Sequence, residues 1–422
     1  LSFKEWRKWL GELPPVLRWF PLLVLLRPVI DNLYFLKEVS PLISPPYIVG
    51  VLTPVLCITA LIQYRLPRFT LADKSFARWS ALLLISALFT VFYDPLSLLS
   101  IEFVLKLTMP VYLFFFLRIL IRSRRDLHGV LTTFLYSAVF VAAILLYELL
   151  INPISIEDSR GLQRIQGNFG DVVSYGMYII FTTVITTYYF LSRQHVVPVR
   201  KLTQLLVIVA VINVLGLFNI HHTATYTIFI LIFGLFLLFN MNTRNRSAGF
   251  AVVLVAGFLF SFFGSEIIAE KITPLVETDL AVYQGEKDSD QLLHGRMGRW
   301  RLMLANFMEE PVHVQFLGYP LSLSYVYSYI GIGSHNDFLR ILFATGAIGL
   351  FFYLRFLYLI ALRMSRLGKA QRFLLAAVTV ALLFFSISVT PTFYAPFMYF
   401  VLSIFAFILL PENQRDAWID RP

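Results

Sequence analysis

Residues 333–362 read GSHNDFLRILFATGAIGLFFYLRFLYLIAL. From Ile341 to Leu362 the only charge is Arg355. A run of roughly 20 apolar residues is long enough, as a helix, to cross about 30 Å of hydrocarbon. The segment therefore reads as a transmembrane helix, and the octet before it places an imidazole, an amide, a carboxylate and a guanidinium at its mouth. Working outward, similar apolar blocks recur to both ends of the chain. The 422 residues are 58% hydrophobic and 14% charged, with 41 Phe and a mean hydropathy of +0.74, whereas a soluble domain is about half apolar. Continuous blocks exclude the alternating pattern of a membrane barrel.

The expected fold is an all-α polytopic integral membrane protein, a single transmembrane domain over 1–422. Twelve spans are expected, at about 15–30, 47–64, 79–98, 102–121, 128–150, 172–191, 203–219, 224–240, 248–265, 337–361, 373–390 and 394–410. With both termini cytoplasmic, the inner segments hold more than twice as many Lys and Arg as the outer ones. That is the bias of cytoplasmic loops, and it explains the formal charge of +10 without a nucleic-acid partner. Cys57 is the only cysteine, so there is neither a disulfide framework nor a thiolate metal site.

Two outer segments are long. One covers 151–171, and the other, 266–336, is the large hydrophilic loop between spans nine and ten. Long loops on a membrane scaffold usually carry function. Basic residues there run against the charge bias, so each needs a reason. Arg160 and Arg164 are four apart, ahead of Asp171, a candidate helix N-cap. They could meet lipid phosphate or a substrate anion. In LHGRMGRWRLMLANFM, residues 293–308, a helix would put Arg296 and Arg299 on one face with Trp300 and Met303. Leu304 and Phe307 would then lie on the membrane surface, which makes this an interfacial amphipathic helix.

His335 can accept a proton from a hydroxyl near neutral pH, which suits a general base, although a histidine at a span boundary can also be structural. Asn336 or Asp337 could cap the following helix, and one of them could orient the imidazole. His221 and His222 open the eighth span, but adjacent residues point to different helix faces. With no HExxH motif in the outer segments, no metal and no cofactor is expected. Anion binding would fall to arginine. Asp31, Glu102, Lys106, Glu148 and Arg340 lie in or near spans, where burial demands a partner or a wet cavity.

Three short motifs occur in a fixed order. They are Arg164, Gly167 and Phe169; then Gly295, Arg296 and Trp300 followed by Pro311 and FLGYP; then His335, Asn336, Leu339, Gly346, Gly349 and Leu350. With the span count, this set resembles the O-antigen ligase and polymerase superfamily, the Wzy/WaaL-like membrane glycosyltransferases of the bacterial envelope. The chain departs from that pattern at HHTAT, residues 221–225, where many members carry an arginine; the role of His222 stays open.

The resemblance implies a site on the periplasmic face of the bacterial inner membrane. The donor would be an undecaprenyl-diphosphate-linked oligosaccharide, and a second glycan the acceptor. Arg164 and Arg296, assisted by Arg299 or Arg160, would bind the diphosphate, and His335 would be the base, supported by Asn336, Asp337 and His222. The polymerase branch of surface-polysaccharide synthesis is favoured, with a chain-length-regulating co-polymerase as a further partner. The alternatives are a ligase that moves finished O-antigen to the lipid A core, a protein O-oligosaccharyltransferase, and, from a different class, a twelve-helix transporter. Transporters of that plan join related halves through a long cytoplasmic loop, whereas here the long loop is outside and no half-repeat is visible.

Overall fold

The computed structural model describes residues 2–40, 43–93, 98–151, 156–159, 162–167, 169, 171–192, 200–240, 277, 279, 281–318 and 333–416. The expected span at 248–265, Arg160 and much of the large loop lie outside these residues. The chain is an all-α, multi-pass membrane protein. Among the described residues, five helices are long and apolar enough to cross a bilayer: Pro45–Gln63, Arg124–Leu150, Val172–Leu191, Asp337–Arg366 with its terminal turn, and Lys369–Ser388.

In chain order the first helices are α1 (Phe3–Glu12), α2 (Pro15–Asn32), α3 (Leu36–Val39), α4 (Pro45–Gln63), α5 (Leu71–Tyr93), α6 (Leu98–Leu120) and α7 (Arg124–Leu150). The 151–171 segment then forms an antiparallel ribbon, β1 (Ile156–Ser159) with β2 (Leu162–Ile165), in which Glu157 stands opposite Arg164. Next come α8 (Val172–Leu191), α9 (Arg200–Ile220) and α10 (Thr223–Asn240). The large loop carries α11 (Leu292–Glu309) and α12 (Val312–Leu317), and after it come α13 (Asp337–Ala361), α14 (Lys369–Ser388), α15 (Ala395–Ile408) and α16 (Glu412–Asp416).

Local chemistry sets the helix ends. Asp171 caps α8 by accepting the Ser174 N–H at 2.7 Å, and Pro15 and Pro45 open α2 and α4, where their missing N–H costs nothing. Packing sets the rest. The α15 helix is buried on all sides from Phe397 to Ile408 and forms the centre of the bundle. Its Tyr399 meets Phe20 at 5.4 Å between ring centroids, and its Phe400 meets Phe181 at 5.6 Å.

Several charges inside this body are paired, which offsets the cost of burying them. Arg27 binds Asp31 at 2.7 Å, Lys106 binds Glu102 at 2.5 Å, and Arg118 binds Asp73 at 3.0 Å. Arg118 also donates to the Ala406 carbonyl at 2.9 Å, which ties α6 to α15.

The short α12 docks into a kink of α13. At Gly346 the backbone turns to φ 64, ψ −173, a conformation essentially confined to glycine. A Cβ there would lie 2.2 Å from the Phe316 carbonyl oxygen, and one at Gly318 would lie 2.5 Å from the Thr345 nitrogen. The two segments thus touch backbone to backbone. Gly346→Ala is expected to lower the unfolding midpoint in detergent, because the backbone strain alone costs about 1–3 kcal/mol and Phe316 must move. Gly234→Ala, with open space around its Cβ position, should leave the midpoint unchanged or slightly raised.

Candidate active site

The segment Gly333–Asn336, which leads into α13, is held by two interlocking caps. Asn336 is the helix N-cap: its Oδ1 accepts the N–H groups of Phe338 at 3.0 Å and Leu339 at 3.1 Å. Ser334 Oγ donates to the Asn336 carbonyl at 3.1 Å. Between them, His335 sits at φ 44, a left-handed conformation that is uncommon outside glycine. Such a backbone persists only where its surroundings hold it.

The α11 helix supplies that hold. Trp300 Nε1 donates to the Ser334 carbonyl at 2.8 Å, and Arg299 Nη1 donates to the Gly333 carbonyl at 3.3 Å. Arg296 Nη1 reaches the Ser388 carbonyl at the end of α14, at 2.6 Å. The positive φ of Gly295 and Leu293 shows that the first turn of α11 is irregular, in line with the cost of glycine in a helix. Gly298 lets α11 approach Asp290, whose backbone oxygen would lie 3.0 Å from a Cβ at that position.

The expected lipid-facing side of α11 needs a correction. Phe307 is 2% exposed and packs on Phe343 of α13 at 5.3 Å, and Met303 is also buried. Leu302, Leu304 and Met308 are the exposed apolar residues. The helix thus turns Phe307 inward onto α13, while Leu304 stays on the outer side.

Arg296, Arg299 and His335 are brought together. The ring of His335 is partly enclosed while the residue as a whole stays exposed. Its pKa is lowered by this partial burial first, and then by the positive charges of Arg296 and Arg299. A lowered pKa keeps the imidazole neutral, and hence able to accept a proton, to lower pH than an ordinary histidine. Arg299 uses one of its five donors on Gly333, which leaves much of its fork for an anion.

Asp337 does not orient this ring. It is fully buried, bonded to Arg340 through both Nε and Nη2, and accepts the Thr392 hydroxyl at 2.8 Å. Arg340 in turn lies 3.6 Å over the ring of Phe393. This knot joins α13 to the turn Pro391–Phe393, a partner that nothing near Asp337 in the chain announces. Asn336 and Asp337 are therefore structural supports of the residue between Ser334 and α13.

Arg164 is carried by the 151–171 ribbon. It is 9% exposed on β2, and its charge acts on Tyr226 of α10; no hydrogen bond or ion pair links it to His335 among the described residues. Tyr226 donates to the Leu217 carbonyl at 2.9 Å and lies 3.3 Å from His221 Nδ1. His222 Nδ1 lies 2.8 Å from Thr225 Oγ1, a contact within the first turn of α10. Gly167 turns at φ 60, which lets Phe169 stack on Tyr178 with 4.9 Å between ring centroids. No cluster of three metal-ligating side chains occurs among the described residues.

A cavity of about 700 Å³ opens at the same end of the bundle. Its walls include Tyr47, Glu102, Lys106, Arg27 and Tyr399, with Phe169 and Asp171 from the 151–171 segment. Phe393 lines it too and carries Arg340 on its ring, so the cavity shares a wall with the Asp337 knot. Most of the other lining is apolar, from Ile48, Val51, Leu52 and Leu105, and Ile48, Val51 and Leu52 are exposed on the outside of the bundle. The arrangement offers a neutral base beside two cations, next to a largely apolar chamber. No protein-family model matches the sequence, and no curated protein matches it at a significant level.

Proposed function

We propose that this chain is a metal-independent membrane glycosyltransferase that polymerises surface-polysaccharide repeat units from an undecaprenyl-diphosphate-linked donor. The observation that carries the reading is His335, held at φ 44 beside Arg296 and Arg299, whose charges add to the lowering of its pKa. An acceptor hydroxyl attacks the anomeric carbon of the donor sugar. The new C–O bond forms as the bond from that carbon to the diphosphate oxygen breaks, and the hydroxyl proton passes to His335. Undecaprenyl diphosphate leaves with the bonding electron pair. Arg296 and Arg299 stabilise the charge that develops on it, and the apolar chamber beside the site takes the polyprenyl chain. Arg164 is assigned to the donor diphosphate together with Arg296 and Arg299.

On this reading the body comprises twelve spans in a bacterial inner membrane. Both termini are cytoplasmic, and His335 faces the periplasm.

The test is reconstitution in liposomes with a lipid-linked repeat unit. Longer lipid-linked chains and one released undecaprenyl diphosphate per bond formed are expected; absence of release overturns the proposal. The rate should fall on acidification only below the pH at which an ordinary histidine protonates, since the neutral ring is the active form. Arg299→Gln removes one neighbouring positive charge, so the acid limb should move to higher pH. A pH profile of the turnover number checks both the position and the direction.

A further inference from the structure

Two arginines stand on the outside of the bundle where α5 meets α13. The helices run antiparallel there, with Trp79 against Tyr353 at 5.0 Å and Phe76 against Phe356 at 4.8 Å between ring centroids. Along α5 the exposed residues Leu71, Lys74, Arg78, Ala81, Ile85 and Leu88 recur every three or four positions, which makes them one stripe. On α13 the exposed stripe is Ala347, Phe351, Leu354 and Tyr358, and the partly exposed Arg355 lies beside it, four residues from Phe351 and three from Tyr358. The Arg78 guanidinium rests over the ring of Phe352, 5.3 Å from its centroid. Phe352 is one helical turn from Arg355, so both cations belong to one stretch of the seam.

Depth and charge make that stretch unusual. Arg78 is seven residues past Leu71, about 10 Å along α5. Arg355 is eight residues before Arg363, about 12 Å along α13. Arg65, Arg68, Arg363 and Arg366 mark this end of the two helices as the basic one. Charged side chains inside a membrane usually pair with one another or face the bundle interior. Lys74, Arg78 and Arg355 make no hydrogen bond or ion pair among the described residues, and the stripes turn them toward lipid. Asp73 is the only carboxylate on α5; it is 1% exposed and committed to Arg118 at 3.0 Å and to the Thr70 N–H and hydroxyl. No Asp or Glu follows Asp337 on α13. The protein supplies these cations with no anion.

We infer that the seam between α5 and α13 binds one anionic glycerophospholipid. Its phosphate accepts hydrogen bonds from Arg78 and Arg355, with Lys74 one turn nearer the basic end, and its acyl chains lie along Ala81, Ile85 and Phe351. Guanidinium forks match phosphate oxygens, and long basic side chains reach from a span toward the headgroup layer. A free phosphate ion would have to leave water to arrive at this depth, whereas a phospholipid arrives along the bilayer. The site lies toward the opposite end of α13 from His335 and does not rest on the proposed reaction.

The experiment is native mass spectrometry of the full chain released from nanodiscs of phosphatidylglycerol or of phosphatidylcholine. Both lipids carry the phosphate, but only phosphatidylglycerol is net anionic. Wild type is expected to retain one phosphatidylglycerol in preference to phosphatidylcholine. Arg78→Gln and Arg355→Gln should each lower that retention about fivefold, the worth of one basic residue at an anionic bilayer surface, and the double variant should bring it to the phosphatidylcholine level. Arg7→Gln, which removes an exposed charge from α1, should retain lipid like wild type. A wild type without preference would mean that the arginines only reach bulk headgroups, and it overturns the inference. So does a double variant that retains phosphatidylglycerol like wild type, or an Arg7→Gln variant that loses as much as Arg78→Gln. The wild-type comparison stands whether or not the variants fold.

Discussion

His335→Asn is expected to reduce glycosyl transfer by about 10²–10⁴-fold, the usual contribution of a positioned general base, while the protein remains folded. Asparagine is chosen because it tolerates the left-handed backbone at φ 44 better than most side chains. The substitution then removes the base without disturbing the caps on either side, since Ser334 and Asn336 hold the segment through their own atoms. His335 is exposed, so its ring contributes little packing. The effect should appear in the turnover number with donor binding nearly unchanged, because Arg296 and Arg299 remain. The acid limb of the pH profile should vanish with the imidazole. A variant that keeps the wild-type rate would remove His335 from the reaction.

Asp337→Ala is expected to have the largest effect on stability, about 3–5 kcal/mol, the typical cost of leaving one member of a buried ion pair alone. Arg340 is 1% exposed and would keep its charge with no carboxylate beside it. The Thr392 hydroxyl would lose its acceptor, and the turn Pro391–Phe393 its tie to α13. A fluorescence-detected unfolding midpoint in detergent should fall markedly. Replacing both members, Asp337→Asn with Arg340→Leu, should recover much of the loss, because the desolvated charge is then gone. If the single variant unfolds like wild type, the pair is not what holds α13 to the turn.

The two predictions separate neighbours in one motif. His335 and Asp337 are two residues apart and equally polar, and the sequence offered each a place in the chemistry. Geometry divides them, with one ring open to the cations of α11 and one carboxylate sealed inside the bundle. Arg299 of α11 bonds the His335 segment, Arg296 bonds Ser388 and acts on the His335 ring through its charge, and Arg164 on the ribbon acts on Tyr226. Motif order in a sequence cannot distinguish these outcomes, since it records neither the kink at Gly346 nor the ribbon that turns Arg164 inward.

The sequence by itself determined that this is an all-α membrane protein, where several of its spans run, and that Asp171 begins a helix. It also marked Asn336 as a candidate cap. These properties are local: hydropathy over about 20 residues fixes a span, and a cap is a contact over two or three positions. Tertiary structure decided which charges pair and what they serve. Arg118 finds Asp73 across 45 residues, Trp300 finds Ser334 across 34, and Thr392 finds Asp337 across 55. Burial in the membrane demands that every such charge or polar group find a partner, but several partners satisfy that demand equally on paper. Only the packing of distant helices, with the glycine contacts that bring α12 onto α13, selects one.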